Sequence, residues 1–120
     1  MEKNNSTPAI TVDIGRHRIR IHRSTLSRLE YPLFVRLLVN PNQKGIVVES
    51  CDEQAIGAYR LTGTDHRHSM EVYSPSLISE ISSCAGFGRY RAVKLTGRQL
   101  RGQNAVFFRL AASDECACLA

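Results

Sequence analysis

Residues 17–29, HRIRIHRSTLSRL, and residues 69–81, SMEVYSPSLISEI, decide how this chain is read. In the first, Ile19 and Ile21 alternate with Arg18, Arg20 and His22; in the second, Met70 and Val72 alternate with Glu71 and Tyr73. A two-residue period sends successive side chains to opposite faces of a strand. Each stretch then turns to a hydroxyl-bearing helix start and a short apolar helix. Ser24 or Thr25 precedes Leu26 and Leu29, and Ser74, with Pro75 at the first helical position, precedes Leu77, Ile78 and Ile81. Ile19, Ile21, Thr25 and Leu26 correspond to Met70, Val72, Ser76 and Leu77 at one constant offset.

The correspondence extends outward. Ile10, Val12 and Ile14 alternate as a strand before Gly15, and Tyr31-Pro32 ends the first helix, because the residue before proline avoids helical geometry. Residues 34–39 and 46–48 read as strands around the turn-rich NPNQKG, 40–45. In the second half, residues 90–95 and 105–110 read as strands around a loop, 96–104, and residues 58–62 as a further short strand. Strand, short helix, strand, turn and strand therefore occur twice. The expected fold is mostly β with short helices (α+β), built from duplicated β-α-β-β units. Neither unit is large enough to bury its apolar side alone, so the two share one core. The expected organisation is a disordered stretch, 1–8, one domain over 9–111 with repeats 9–50 and 69–111 and a linker 51–68, and a tail, 112–120.

Composition narrows the function. The chain has 120 residues, 42% hydrophobic and 22% charged, as in globular proteins. The polar start MEKNNSTP has no signal-peptide core, and no run is long enough to span a membrane as a helix. The four cysteines, Cys51, Cys84, Cys116 and Cys118, follow no disulfide spacing, so reduced thiols and a cytoplasmic location are expected. Net charge is +5, and 13 of the 16 basic residues are arginine. Residues 14–44 hold seven Lys/Arg and one acid, residues 89–109 hold six and none, and residues 50–88 between them hold two against five acids. Arginine presents a planar fork suited to phosphate, which makes nucleic acid the leading partner class; the alternative is a solvated basic surface.

The first repeat resembles the AbrB-type transition-state regulators and their SpoVT, MraZ and MazE-type relatives. The resemblance rests on Val12-Asp13, Gly15-Arg16, the Ile19–Ile21 strand, the helix carrying Leu26 and Leu29, and the hairpin around residues 40–44. It implies a swapped-hairpin barrel, here with both copies in one chain, and DNA contacts through arginine. Arg16 and Arg28 are the residues it carries over.

The residues themselves suggest a wider set. Arg16, Arg18, Arg20 and Arg23 surround one hairpin and, with Arg28, suit a β-ribbon that meets phosphates and guanine edges. Arg98 and Arg101 lie in the loop of the second repeat. Pseudo-two-fold packing need not bring the two groups to one side. The expected function is a small DNA-binding regulator, monomeric or weakly dimeric, with duplex DNA as partner. The alternative is a protein-binding module, such as an antitoxin-like partner or a mobile-element inhibitor of a nucleic-acid enzyme; RNA binding is a third possibility. Asp65, His66 and His68 lack a fourth metal ligand nearby, and the terminal CAC reads as exposed tail, so no metal or other cofactor is expected. No nucleophile elbow or phosphate-cradling loop is present, so enzymatic activity is not expected either. Tyr73 and Tyr90 read as core-edge residues. Of Phe107 and Phe108, one should be core; an exposed Phe108 would favour a protein partner.

Overall fold

A computed structural model describes residues 7–63, 69–87 and 90–110, together with the backbone of residues 117–119. The first unit contains β1 (Ala9–Asp13), a 3-10 turn (Ile14–Arg16), β2 (Arg18–His22), α1 (Arg23–Arg28), β3 (Phe34–Asn40) and β4 (Gly45–Ser50). The second contains β5 (Tyr59–Arg60), β6 (Ser69–Tyr73), α2 (Pro75–Ala85), β7 (Tyr90–Gln99) and β8 (Ala105–Arg109), followed by β9 (Ala117–Leu119).

All the strand pairings are antiparallel, in the order β5-β3-β4-β8-β7-β1-β2-β6. The two outer strands meet through one bridge, Thr62 to Glu71, which nearly closes a barrel. Exchanging each strand of one unit for its counterpart in the other returns the same circular order. Hairpins of the two units alternate around the ring: β1-β2 lies between β7 and β6, and β3-β4 between β5 and β8. The two units thus share one nearly closed barrel, as the duplicated sequence requires, with the interleaved hairpins that the resemblance implies. The offset of 51 residues governs pairing as well as sequence. Thr11 opposes Arg20, and 51 residues later Thr62 opposes Glu71. Arg20 also faces Glu71, its own counterpart, which places that pair on the pseudo-two-fold axis.

The inward positions of both units fill one core. Ile10, Val12, Ile19 and Ile21 are fully buried beside Val48, Val106 and Phe108. Burying each such side chain contributes roughly 1.5–3 kcal/mol, which neither half could collect without the other's face. Helix α2 follows its sequence signals closely. The Ser74 hydroxyl accepts from the Leu77 amide, Pro75 opens the helix, Gly86 closes it in left-handed geometry, and Leu77, Ile78 and Ile81 form the buried stripe.

Helix α1 starts earlier than its sequence suggests. His22 is the cap residue and makes no side-chain capping bond. Thr25, expected as a cap, is instead fully buried inside the helix. Its hydroxyl accepts from the Ala9 amide at 2.9 Å and donates to the Ala9 carbonyl at 2.7 Å. The hydroxyl thus serves the buried backbone of Ala9, just before the first residue of β1 that pairs with β2, a tertiary partner invisible to a local capping rule.

Two further differences bear on function. β7 runs to Gln99 rather than stopping near Leu95, because Gly97–Gln99 pair with Phe108–Val106 of β8. Arg98 therefore sits on a strand, not in a loop. β8 leaves the start of β7 unpaired on that side, and Ala117–Leu119, in the stretch expected as a tail, pair there as β9.

Candidate nucleic-acid interface

The seven arginines singled out in the sequence separate into groups. Arg18, Arg20 and His22 share the outward face of β2, as the alternation requires, but Arg18 is half-buried and held by carboxylates. Its Nε lies 3.1 Å from Asp13 and its Nη1 3.0 Å from Glu71, leaving the side chain 19% exposed. Arg20 Nε lies 3.6 Å from the same Glu71 oxygen. Arg16 is exposed in the 3-10 turn, at the end of the barrel where β7 begins; a Cβ at Gly15 would touch Arg91. Arg23 is exposed at the opposite end of β2. Arg28 closes α1, where its carbonyl accepts from the Gln99 side chain at 3.2 Å, so this helix end meets the far end of β7. Arg98 and the exposed Arg101 belong to that same far end. Arg16 thus lies at one end of β7, and Arg28, from the first repeat, at the other with Arg98 and Arg101.

What connects them is β7 itself, where Arg98 is joined by Lys94, and its neighbour β8, which adds Arg109, two residues that the sequence alone did not single out. Lys94, Thr96 and Arg98 alternate on its outward face and are all exposed. Across β1, Thr11 opposes both Lys94 and Arg20. In the other direction Arg98 opposes Phe107, and Arg109 is the next outward residue of β8. Arg109 opposes Gly45, beside the exposed Lys44. Arg20, Lys94, Arg98, Arg109 and Lys44 therefore form an oblique cationic line across five strands. The available signal was the acid-free run of residues 90–110, with five Lys/Arg, read together with its two-residue period.

Two shallow recesses sit on this line and share Arg109. One, about 260 Å³, is lined by Thr96, Gly97, Arg98, Phe107 and Arg109. The other, about 270 Å³, is lined by Asn42, Gln43, Lys44, Arg109 and Leu110. No carboxylate appears among these described lining residues. The Arg98 guanidinium carbon lies 5.3 Å from the centre of the Phe107 ring, a cation–π distance. Phe108 is the buried member of the aromatic pair and Phe107 the half-buried one, so the exposed Phe108 that would have favoured a protein partner is not present. Tyr73 is 67% exposed, further out than a core-edge position, whereas Tyr90 is half-buried against Phe87.

No family model, curated protein or solved structure matches this chain.

The arrangement must therefore be judged on its own chemistry. Among the described residues, no group of three His, Cys, Asp or Glu is placed to hold a metal ion, and no helix is long and apolar enough to cross a membrane. Asp65, His66 and His68 lie outside the described residues, as does Cys116. Cys51 and Cys84 are free thiols.

His22 reports on the electrostatics of the line. Its Nε2 lies 2.7 Å from the Thr11 hydroxyl. Burial, then the charges of Lys94 and Arg20, hold its pKa below the ordinary 6.5. A depressed folded-state value means that the fold favours neutral imidazole. Its stabilising contribution is complete above the unfolded-state value and is lost as pH falls below it toward the folded value. Thermal stability is expected to decline by a few degrees between about pH 7 and 5. In His22→Gln this decline should flatten, as measured by melting curves across that range; an unchanged decline would assign it to other groups.

Proposed function

We propose that this chain is a small DNA-binding regulator that holds a phosphate backbone against the outward face of β7. The observation that carries this reading is the acid-free line Lys94–Arg98–Arg109, continued by Arg20 and Lys44. Cations placed along a strand neutralise successive phosphates and release counterions, which supplies affinity without base recognition. The β2 arginines contribute less than their number suggests. On the face formed by β1, β2, β6 and the Lys94 region, Arg18, Arg20 and Lys94 stand against Asp13 and Glu71, three positive charges less two negative. Arg16, Arg23, Arg28 and Arg101 extend the contact at the two ends of the barrel. The regulatory role comes from the resemblance to AbrB-type regulators, which bind DNA through such barrels.

A second reading keeps the scaffold as a protein-binding module. It is favoured by Leu33 and Leu38, exposed by 57% and 45% at β3, on the other side of the barrel from Lys94. Binding to duplex DNA between about 50 and 200 mM salt separates the two. Four or five phosphate contacts give a slope of log K against log salt of roughly −3.5 to −4.5. A slope near zero, or no binding at about 50 mM salt, would remove DNA as the partner and leave the protein-binding module.

A further inference from the structure

We infer that the recess between β7 and β8 takes an unpaired nucleotide, its base against the Arg98 guanidinium and its phosphate on Arg109. The inference rests on the nucleic-acid reading above and names the form of nucleic acid that fits.

Two strand glycines bring the backbones together here, Gly45 at the start of β4 and Gly97 inside β7, where glycine ordinarily weakens a strand. At Gly45 a Cβ would overlap Cε1 and Cζ of Phe107, so the ring occupies the space that any other residue would fill. The ring thus rests on bare backbone and carries Arg98 on its outward side. At Gly97 a Cβ would overlap the Phe107 carbonyl oxygen and stand 2.7 Å from the Phe108 ring. The space Gly97 leaves is on the inward face, against the buried Phe108, so the residue gives the recess only main chain and lets the two strands approach closely beneath it.

The result is a guanidinium held over an aromatic ring, its outer side exposed, beside a second exposed guanidinium and the Thr96 hydroxyl. Planar guanidinium groups stack on unpaired bases as well as fork to phosphate. The recess, at about 260 Å³, is larger than one phosphoryl group requires and approaches the ~300 Å³ at which small-ligand pockets begin. In a continuous duplex the bases are already stacked on one another and only phosphates could reach Arg98. A single strand can place a base there, lay its phosphate on Arg109, and continue toward Lys44 in the adjoining recess.

The test compares a single strand of about 12 nucleotides with the matching duplex at about 150 mM salt, by fluorescence anisotropy. The single strand should bind roughly tenfold tighter, the advantage of one stacked base. Arg98→Lys keeps the charge and removes the plane, so it should erase the preference while duplex affinity stays within about twofold. In amide NMR, a nucleoside monophosphate should shift Gly97 and Arg98, and the same concentration of inorganic phosphate should not. Equal or tighter duplex binding, a preference that survives Arg98→Lys, or identical shifts from inorganic phosphate would each overturn the inference while leaving duplex binding through β7 intact. If neither strand form binds at about 50 mM salt, the nucleic-acid reading itself falls.

Discussion

Gly97→Ala is expected to lower the melting temperature by about 10 °C or more, the largest effect of a methyl added at any described glycine. The position is not one of left-handed backbone, so the cause is space alone. An added Cβ meets the Phe107 carbonyl oxygen on one side and Cδ2 and Cε2 of Phe108 at 2.7 and 2.9 Å on the other. Phe108 is fully buried and cannot swing away, and the carbonyl is fixed by the pairing of Gly97 with Phe108. The strands must separate at the junction that joins β7 to β8, and hence the first half of the ring to the second. Two comparisons identify the mechanism. Gly102→Ala, where a Cβ meets nothing within 4 Å but φ is +72°, should lose only about 1 kcal/mol from backbone strain. Gly97→Ala combined with Phe108→Leu should not recover stability, because the carbonyl obstacle remains. Melting curves of the three variants decide the matter. A Gly97→Ala protein within about 3 °C of the parent would show that β7 and β8 part without cost.

The duplication was legible because it is written in periods that survive divergence. The alternation at Ile19–Ile21 and Met70–Val72 fixes both face and register, since a one-residue slip would send isoleucines to solvent. The same offset then predicts which residues meet. What composition concealed was the reason that one copy is arginine-rich and the other is not. The pseudo-two-fold axis sets Arg20 directly opposite its counterpart at position 71. A faithful repeat would oppose two guanidinium groups, and Glu71 instead binds both Arg18 and Arg20. The acidic middle of the sequence thus completes the basic beginning, a relation between residues 53 positions apart that no local window contains. Arg98 was misplaced for a different reason. Glycine inside an otherwise alternating run signals a break, and residues 96–104, rich in Gly, Arg and Gln, read as a loop. In the barrel the glycine is required by close approach to β8, and the strand continues through it. Thr25 follows the same logic: a hydroxyl at a helix start is an ordinary cap locally, and only the position of Ala9 reveals its other partner.

Binding should respond most to the triple variant Lys94→Ala/Arg98→Ala/Arg109→Ala. If the β7–β8 line holds the phosphate backbone, removing three contacts reduces the salt slope by about 2.7, at roughly 0.9 per phosphate, and weakens duplex binding on the order of 100-fold at about 100 mM salt. All three side chains are exposed, so the fold should tolerate the change. The one packed group lost is the guanidinium over Phe107, worth about 0.5–1 kcal/mol. Loss of total charge alone cannot produce the same result, and a matched control shows why. Arg16→Ala/Arg23→Ala/Arg60→Ala also removes three exposed arginines, one of them over an aromatic ring, Phe34 at 5.7 Å. It leaves the acid-free line untouched and should lower the slope by less than half as much. Arg18→Ala should barely alter binding but should reduce stability, because Asp13 and Glu71 lose the cation that joins β1, β2 and β6. Anisotropy titrations at four salt concentrations, with melting curves of the same proteins, separate these contributions. If the control triple variant loses more slope than the β7–β8 variant, the phosphates lie along the β2 hairpin and its flanking helix, and the line through Lys94, Arg98 and Arg109 is only a solvated surface.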